Sequence, residues 1–530
     1  APDVLGWALA SPEGGRTGMN GAERLLATAH AAGVEICFAN PGTTEMPLVA
    51  ALEGSPLRAV LGLFEGVCTG AADGYGRMAE RPAATLLHLG PGLANGIANL
   101  HNARRAGSPI VNWVGDQASW HLAADAPLTS DIRALAGNVG WVRTVRSAET
   151  LAADGADALR AASGPPPGVA TLVVPVDAQW SDAPDALAPT ARPAPHGPDA
   201  DAVERARALL ANGRAGLLLG GRALRAPALR AAARIHAHTH CPVWTETFAA
   251  RHERGRGIPD FPRLPYFPEQ AREALAGIEG LVLAGARNPV AFFGYPGQPS
   301  RLEPEASPLT TLASPHDDVR AALEAVADAL GAAKDVTLAD RPRPAPASGA
   351  LDVPALGRTL AALQPEDAVV VDEAATSGLA WAGLAAGAAP HTTLGLTGGA
   401  IGQGLPCAVG AALACPGQRV IAFQADGSGL YTLQALWTMA RESLDVTVVV
   451  CANRVYRILQ AELARAGVLE PGPKARALTQ LGPPPVDWVA AARAFGVPGQ
   501  RVSQAEALSD ALRGALEEPG PCLIEALLGS

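Results

Sequence analysis

Asp426 and Asn453 are the side chains best suited to hold a hard cation, and Asn453 follows Asp426 by twenty-seven positions. An apolar run at 420–423 leads into Asp426-Gly427-Ser428-Gly429. Leu433, Leu436, Trp437 and Met439 then recur at helical spacing, and a second apolar run at 446–451 ends at Asn453. The pattern predicts strand, turn, helix, strand, with both loops at one edge of a parallel sheet, where open α/β sheets bind ligands. Carboxylate and amide oxygens there suit magnesium bridged to a phosphate. Gly427 and Gly429 would let the backbone come close to that phosphate. An ordinary Asp-Gly turn within a βαβ unit fits the same letters.

Three further polar groups stand at the ends of apolar runs. Glu45 lies in Asn40-Pro41-Gly42-Thr43-Thr44-Glu45, a strand-to-helix loop that places it near a helix start. His88 ends a run just before Gly90-Pro91-Gly92, at the same predicted edge as Glu45. Gln117 follows the run at 110–115. Each of these fits a structural role as readily: a dipole-favoured first-turn glutamate, a histidine bonding a loop carbonyl, a solvated glutamine.

The elements that must carry these residues repeat. In the 530-residue chain, short apolar runs alternate with small-residue helical stretches, which predicts doubly wound α/β units. Proline- and alanine-rich stretches at 181–198 and 332–349 read as linkers. They leave units at 19–180, 199–335 and 350–530, after a flexible leader at 1–18. The first unit is read as helix 20–32, strand 34–38, helix 65–77, strand 85–89, helix 93–105 and strands 110–115 and 170–176. In the second, Gly220-Gly221 lacks the full glycine fingerprint and following acid of a dinucleotide site. His236, His238 and His240 alternate as zinc ligands could, or straddle a helix end and a strand start.

Composition narrows the function classes. Formal net charge is -10, with no Lys/Arg-rich block, which disfavours nucleic acid. No apolar stretch has transmembrane length and character, so no membrane partner is expected. Seven scattered cysteines without a Cys-x-x-Cys pair fit free thiols in a reducing cytoplasm.

Taken together, the motifs resemble those of the decarboxylase and acetolactate-synthase superfamily of thiamine diphosphate enzymes. Asp426-Gly427 with Asn453 resembles the metal and diphosphate motif, with Ala425 where a glycine is usual. The stretch 40–47 resembles the activating-glutamate loop, and 65–75 the helix that follows it. Gly398-Gly399-Ala400-Ile401-Gly402-Gln403-Gly404-Leu405-Pro406 resembles the loop that cradles the cofactor's middle. The likeness covers residues 20–528 and implies three doubly wound parallel-sheet α/β domains: pyrimidine-binding, central and diphosphate-binding.

The resemblance also implies roles. Thiamine diphosphate and Mg2+ would be the cofactors, with metal bound by the side chains of Asp426 and Asn453 and the backbone carbonyl of Val455. Glu45 would be the activating carboxylate. Ile401 would prop the cofactor in its bent form, beside Gly399. Thr376, Ser377 and Ser428 would offer hydroxyls to the diphosphate with the Gly427 backbone, and Tyr456 would line the pocket. His88 and Gln117 would serve the substrate end. The implied reaction is decarboxylation or carboligation of a 2-oxo acid or aldehyde through an enamine intermediate. Acetolactate-type acyl transfer, benzoylformate-type decarboxylation and non-catalytic cofactor binding are its alternatives. Phe64 and Gly294 stand where the resemblance to benzoylformate decarboxylases implies pocket histidines. Arg287-Asn288-Pro289-Val290-Ala291 replaces the flavin-contacting run of acetolactate synthases, so FAD is not expected. The superfamily pattern implies a homodimer at least, and a homotetramer.

Overall fold

The computed structural model describes residues 18–184, 193–304 and 307–529. All but the last residue of the expected leader, and part of the first linker, fall outside these. The described residues form three sheets flanked by helices.

In the first sheet the strands are β1 (Ile36–Asn40), β2 (Arg58–Leu61), β3 (Ala83–Leu87), β4 (Ile110–Asp116), β5 (Trp141–Thr144) and β6 (Val169–Pro175). All pair in parallel, in the order β2-β1-β3-β4-β6-β5. β3, β4 and β6 are buried at every position, which is why their sequences are apolar runs rather than alternating ones. The strand order reverses between β1 and β3. The crevice at their carboxyl ends is the place where such sheets bind ligands.

The second sheet contains β7 (Gly216–Leu219), β8 (Val243–Thr245), β10 (Leu281–Ala284) and β11 (Leu309–Ala313), with β9 (His252–Arg254) leaving it between β8 and β10. Its order is β11-β10-β7-β8. The third sheet contains β12 (Ala368–Glu373), β13 (His391–Gly395), β14 (Val420–Ala425), β15 (Val446–Ala452), β16 (Gly499–Val502) and β17 (Cys522–Leu527). β9 crosses over and pairs antiparallel with β13, placing His252 opposite Thr393 and Arg254 opposite His391. A segment inside the middle stretch of chain therefore completes the last sheet, which the proline-rich punctuation gave no reason to expect.

Two local expectations change. Gly90-Pro91-Gly92 is the first turn of the helix Leu89–Ala106, not a loop before it. First-turn N–H groups need no intrahelical acceptor, so proline is tolerated there. Asp426-Gly427-Ser428-Gly429 is likewise a short helix rather than a turn. The histidine trio resolves to a helix end: His236 and His238 lie in the last turn of Ala226–Thr239, and His240 caps it in the left-handed region.

The first and third sheets meet through two glycine-bearing helices, Glu65–Ala79 and Gly404–Ala414. A Cβ on Gly74 would lie 2.0 Å from the Cys407 carbonyl oxygen, and one on Gly410 would lie 1.8 Å from that of Ala71. The small residues thus set a backbone-to-backbone contact. Arg77 locks it. The guanidinium pairs with Asp73 at 2.6 Å and donates to the carbonyls of Gly395 (2.7 Å) and Ala250 (3.2 Å), linking the first unit to both others. Among the described residues no helix is long and apolar enough to cross a membrane.

Candidate active site

Glu45 and His88 meet in the crevice of the first sheet. Glu45 follows β1 in the short 3-10 turn Thr43–Glu45, and His88 caps the helix after β3. Glu45 Oε2 accepts from the Gly42 N–H (2.8 Å) and from His88 Nδ1 (2.7 Å); Oε1 accepts from the Thr44 hydroxyl (2.7 Å). The Glu45 side chain has no exposed surface, whereas that of His88 is 25% exposed. When Nδ1 donates in this contact, Nε2 is left as the free ring nitrogen. Two glycines make the room: a Cβ on Gly42 would strike the His88 ring at 2.3 Å, and one on Gly115 would lie 1.8 Å from Glu45 Oε1. Asp116, buried next to these, has its carboxyl raised by burial, with the charge of Glu45 adding to the rise. Gln117 gives its backbone N–H to Asp116 Oδ1, and its side chain is half-buried.

Glu65 stands nearby with its carboxylate accessible. It opens the helix Glu65–Ala79 soon after β2 and is half-buried, and Asn95 Nδ2 donates to its Oε2 at 3.0 Å. A Cβ on Gly92 would fall 3.2 Å from Glu65 Oε1 and 3.4 Å from the His88 Cβ, so the two side chains flank one glycine.

The second cluster lies at the carboxyl edge of the third sheet. β14 and β15 pair with Ala425 opposite Cys451, which brings the two loops side by side. Asp426 Oδ1 accepts from the Gly427 N–H (2.9 Å), and Oδ2 accepts from the Arg454 N–H (2.6 Å) in the Asn453 loop. Asn453 Oδ1 accepts from the Val455 N–H at 3.0 Å, and Arg454 adopts φ +58° to make this turn. Gly427 is small because the Tyr456 ring would lie 2.4 Å from its Cβ. Burial raises the Asp426 carboxyl, and Glu525 adds to the rise. Among the described residues no Lys, Arg or His pairs with Asp426. A buried, uncompensated carboxylate beside an amide oxygen is a donor set that fits a hard divalent cation.

The cofactor-loop residues bend around a glutamate that sequence reasoning missed. Glu373, buried at the end of β12, accepts from the N–H groups of Gly402 (2.8 Å), Gln403 (3.1 Å) and Gly404 (2.8 Å), and from Gln424 Nε2 (2.9 Å). Burial nevertheless raises its carboxyl. Gly399 and Gly402 take φ +77° and +95°, the left-handed values that favour glycine. Ile401 is half-buried between them. The Ser428 hydroxyl is engaged internally, accepting from Gln424 Nε2 at 2.6 Å and donating to the Ala425 carbonyl at 3.2 Å. Ser377 is buried beside Cys451, and Thr376 is half-buried on the same 3-10 turn. Phe292 reaches the loop from the middle unit, within 2.6 Å of a Cβ placed on Gly399. Its ring packs at a tilt against Phe248 (5.1 Å) and Tyr266 (5.6 Å) and edge-on against Phe293 (4.7 Å).

Comparison with known proteins assigns this architecture. Residues 19–135 match the model "Thiamine pyrophosphate enzyme, N-terminal TPP binding domain", and 379–526 match "Thiamine pyrophosphate enzyme, C-terminal TPP binding domain". The chain belongs to the thiamine pyrophosphate enzyme family. This enzyme is 49% identical, over 97% of its length and 99% of the relative's, to a Mycobacterium tuberculosis protein described as a candidate acetolactate synthase large subunit, IlvX. It is 29% identical to the benzoylformate decarboxylase of Pseudomonas aeruginosa, over 94% of this chain and 98% of that one. The fold is shared with a Rhodococcus jostii 4-hydroxybenzoylformate decarboxylase, at TM-score 0.84 and 24% identity over 96% and 99% of the two chains. Within this thiamine pyrophosphate enzyme the two glutamates differ in enclosure: the Glu45 side chain has no exposed surface and holds three donors, whereas Glu65 is half-buried.

Proposed function

We propose that this enzyme uses thiamine diphosphate and magnesium to decarboxylate, or to decarboxylate and ligate, a bulky 2-oxo acid. Bound thiamine diphosphate supplies a nucleophilic carbon that adds to a carbonyl and stores the electron pair released with carbon dioxide. Asp426, Asn453 and the Val455 carbonyl hold the metal, while Gly427 and Thr376 line the diphosphate. Ile401 and Gly399 support the middle of the coenzyme. Glu45 exchanges a proton with the aminopyrimidine ring and orients His88 through Nδ1, so that Nε2 can take or return a proton at the substrate end. The histidine absent at Phe64 and Gly294 is in this reading supplied by His88.

The observation that carries the substrate class is the aromatic cluster of Phe248, Tyr266, Phe292 and Phe293 against Gly399. It offers an apolar wall suited to an aryl or large alkyl 2-oxo acid more than to pyruvate. Flavin has no part in this reading. Glu246 Oε1 already accepts from the Gly221 N–H (2.8 Å) in the crevice of the second sheet, where a dinucleotide phosphate would otherwise bind. The seven free cysteines suit a cytoplasmic enzyme.

A dimer at least, and a tetramer by family pattern, completes the site. Met46, Leu63, Leu379 and Tyr431 are 45%, 44%, 56% and 55% exposed, and each is within two residues of a site element. That is apolar surface which a second chain would cover.

The test is carbon dioxide release from benzoylformate and from pyruvate by protein loaded with thiamine diphosphate and Mg2+. Benzoylformate is the expected substrate. Glu45→Gln should cut kcat by about 100-fold or more. Glu65→Gln should cost less. Near-normal turnover by Glu45→Gln would remove Glu45 from the proposed role.

A further inference from the structure

Glu373 closes β12 and is 4% exposed. A carboxylate in such a place costs stability unless donors surround it. Here each oxygen has two. Oε1 accepts from the N–H groups of Gly402 (2.8 Å) and Gln403 (3.1 Å), and Oε2 accepts from the Gly404 N–H (2.8 Å) and Gln424 Nε2 (2.9 Å). Burial pushes the carboxyl up, and those same donors oppose the push. The acceptor sites of the carboxylate are thereby filled, and none is left for a ligand. The loop amides need this partner. They open the helix Gly404–Ala414, where N–H groups have no intrahelical acceptor, and the Gln403 side chain supplies no cap. Glu373 caps that helix from a strand 29 to 31 positions earlier. The far side of the loop is held as well. The Gly402 carbonyl accepts from the Thr432 hydroxyl (2.8 Å) and from Asn99 Nδ2 (3.4 Å), which also donates to the Gly66 carbonyl (2.8 Å). Gln424 lies opposite Glu373 in the pairing of β12 with β14, and its Nε2 also donates to the Ser428 hydroxyl at 2.6 Å. The packing here is close: a Cβ on Gly404 would lie 2.4 Å from Gln424 Oε1 and 2.9 Å from Glu373 Oε2.

We propose that Glu373 is a positioning residue that sets the loop 398–403 in its coenzyme-binding shape before any coenzyme arrives. This rests on the reading that Gly399 and Ile401 support the middle of thiamine diphosphate. Ile401 directly precedes the first amide that Glu373 holds, and Gly399 and Gly402 take the left-handed values φ +77° and +95°. A loop with two such glycines has many alternative shapes, because glycine has more backbone freedom to lose than any other residue. The carboxylate removes that freedom in the free protein, so coenzyme binding does not have to. Through Gln424 the same carboxylate reaches Ser428, in the short helix that begins at Asp426. Along the chain it stands just before the turn Ala375–Ser377. One buried side chain thus ties together the segments read as holding the diphosphate, the metal and the middle of the coenzyme. Glu373 acts through those segments and touches no ligand itself.

The experiment compares wild type with Glu373→Gln, which keeps the shape and turns one acceptor into a donor facing an N–H group. Amide hydrogen exchange is followed first without coenzyme, in a peptide covering 398–406 and in a control peptide covering β3. In Glu373→Gln the loop peptide should exchange about 10-fold faster or more, with the control within about 2-fold of wild type. Kd for thiamine diphosphate with Mg2+ is then measured by calorimetry. With the loop in its binding shape only a few per cent of the time, Kd should rise by about 30-fold. At saturating coenzyme kcat should fall by less than about 5-fold, because the defect lies in binding. A loop peptide that exchanges as in wild type overturns the proposal. So does equal acceleration of both peptides, which is a loss of global stability. A Kd within about 2-fold of wild type overturns it too. If wild type itself fails to bind thiamine diphosphate, the coenzyme reading has failed. If wild type binds and the variant binds equally well, the positioning role alone has failed. Should Glu373→Gln fail to fold, Gln424→Met carries the test, because it removes the link to Ser428 and leaves the loop amides on Glu373. Its Kd should rise by about 3- to 10-fold, and a value within about 2-fold of wild type overturns the proposal.

Discussion

At the scale of single residues, the site is shaped by what glycines leave out. Gly115 belongs to β4 and looks in sequence like any small strand residue. Its missing side chain is the space that holds Glu45 Oε1, which lies 1.8 Å from where a Cβ would stand. Gly115→Ala must push Glu45 off Thr44, Gly42 and His88, leaving a buried carboxylate short of donors. The expected loss is about 2–4 kcal/mol in denaturant unfolding. Turnover should fall as well, because His88 loses the partner that orients it. An unchanged midpoint and slope would show that the crevice relaxes at little cost.

At the scale of elements, two junctions determine how the sheets meet. The helices Glu65–Ala79 and Gly404–Ala414 touch backbone to backbone. Gly410→Ala would set a methyl 1.8 Å from the Ala71 carbonyl oxygen and force the helices apart. The expected outcome is a clear drop in Tm with weaker coenzyme binding, since the same helix begins where Glu373 holds the loop. Gly514, on an outer helix with nothing within 4 Å of its would-be Cβ, should accept alanine without loss.

The second junction is the β9–β13 seam. Burial drives the His391 imidazole down to about 4, and it drives His252 well below its ordinary value. The unfolded chain therefore takes up these protons first. The stability they contribute is complete above pH about 6.5 and is lost as pH falls toward 4, by up to roughly 3 kcal/mol for His391. Glu246, raised by burial to about 7, has the opposite sign and lowers stability as pH rises toward that value. The difference between wild type and His391→Asn, followed by chemical unfolding from pH 7 to 4, isolates the histidine. A parallel pair of curves would contradict the assignment.

At the scale of the molecule, the carboxylate cluster of the first unit and the metal cluster of the third are distinct. Among the described residues no hydrogen bond or ion pair joins Glu45 or Glu65 to Asp426 or Asn453. Association with a second chain should therefore accompany coenzyme binding. Sedimentation should show a dimer or larger species, tightened by thiamine diphosphate with Mg2+. Leu63→Glu, placing a charge on the exposed apolar rim, should shift it toward monomer and abolish turnover without lowering monomer stability. A fully active monomer would refute the shared site.

The sequence by itself determined the alternation of strands and helices, the parallel sheets and the pairing of Asp426 with Asn453, because burial on both faces and a fixed βαβ length write these into local pattern. It also placed Glu45 and His88 at one sheet edge, since both follow apolar strand runs. It could not show how tightly Glu45 is enclosed: three donors and a missing Cβ at Gly115 surround it, whereas Glu65, also an acid at a helix start, keeps an open side. Nor could it show that Glu373 gathers three loop amides, that β9 finishes another unit's sheet, or that Asn99 spans Gly66 and Gly402. Those contacts join residues 29 to 303 positions apart. No local periodicity encodes them; they exist only where packed layers bring distant backbone groups within hydrogen-bonding reach.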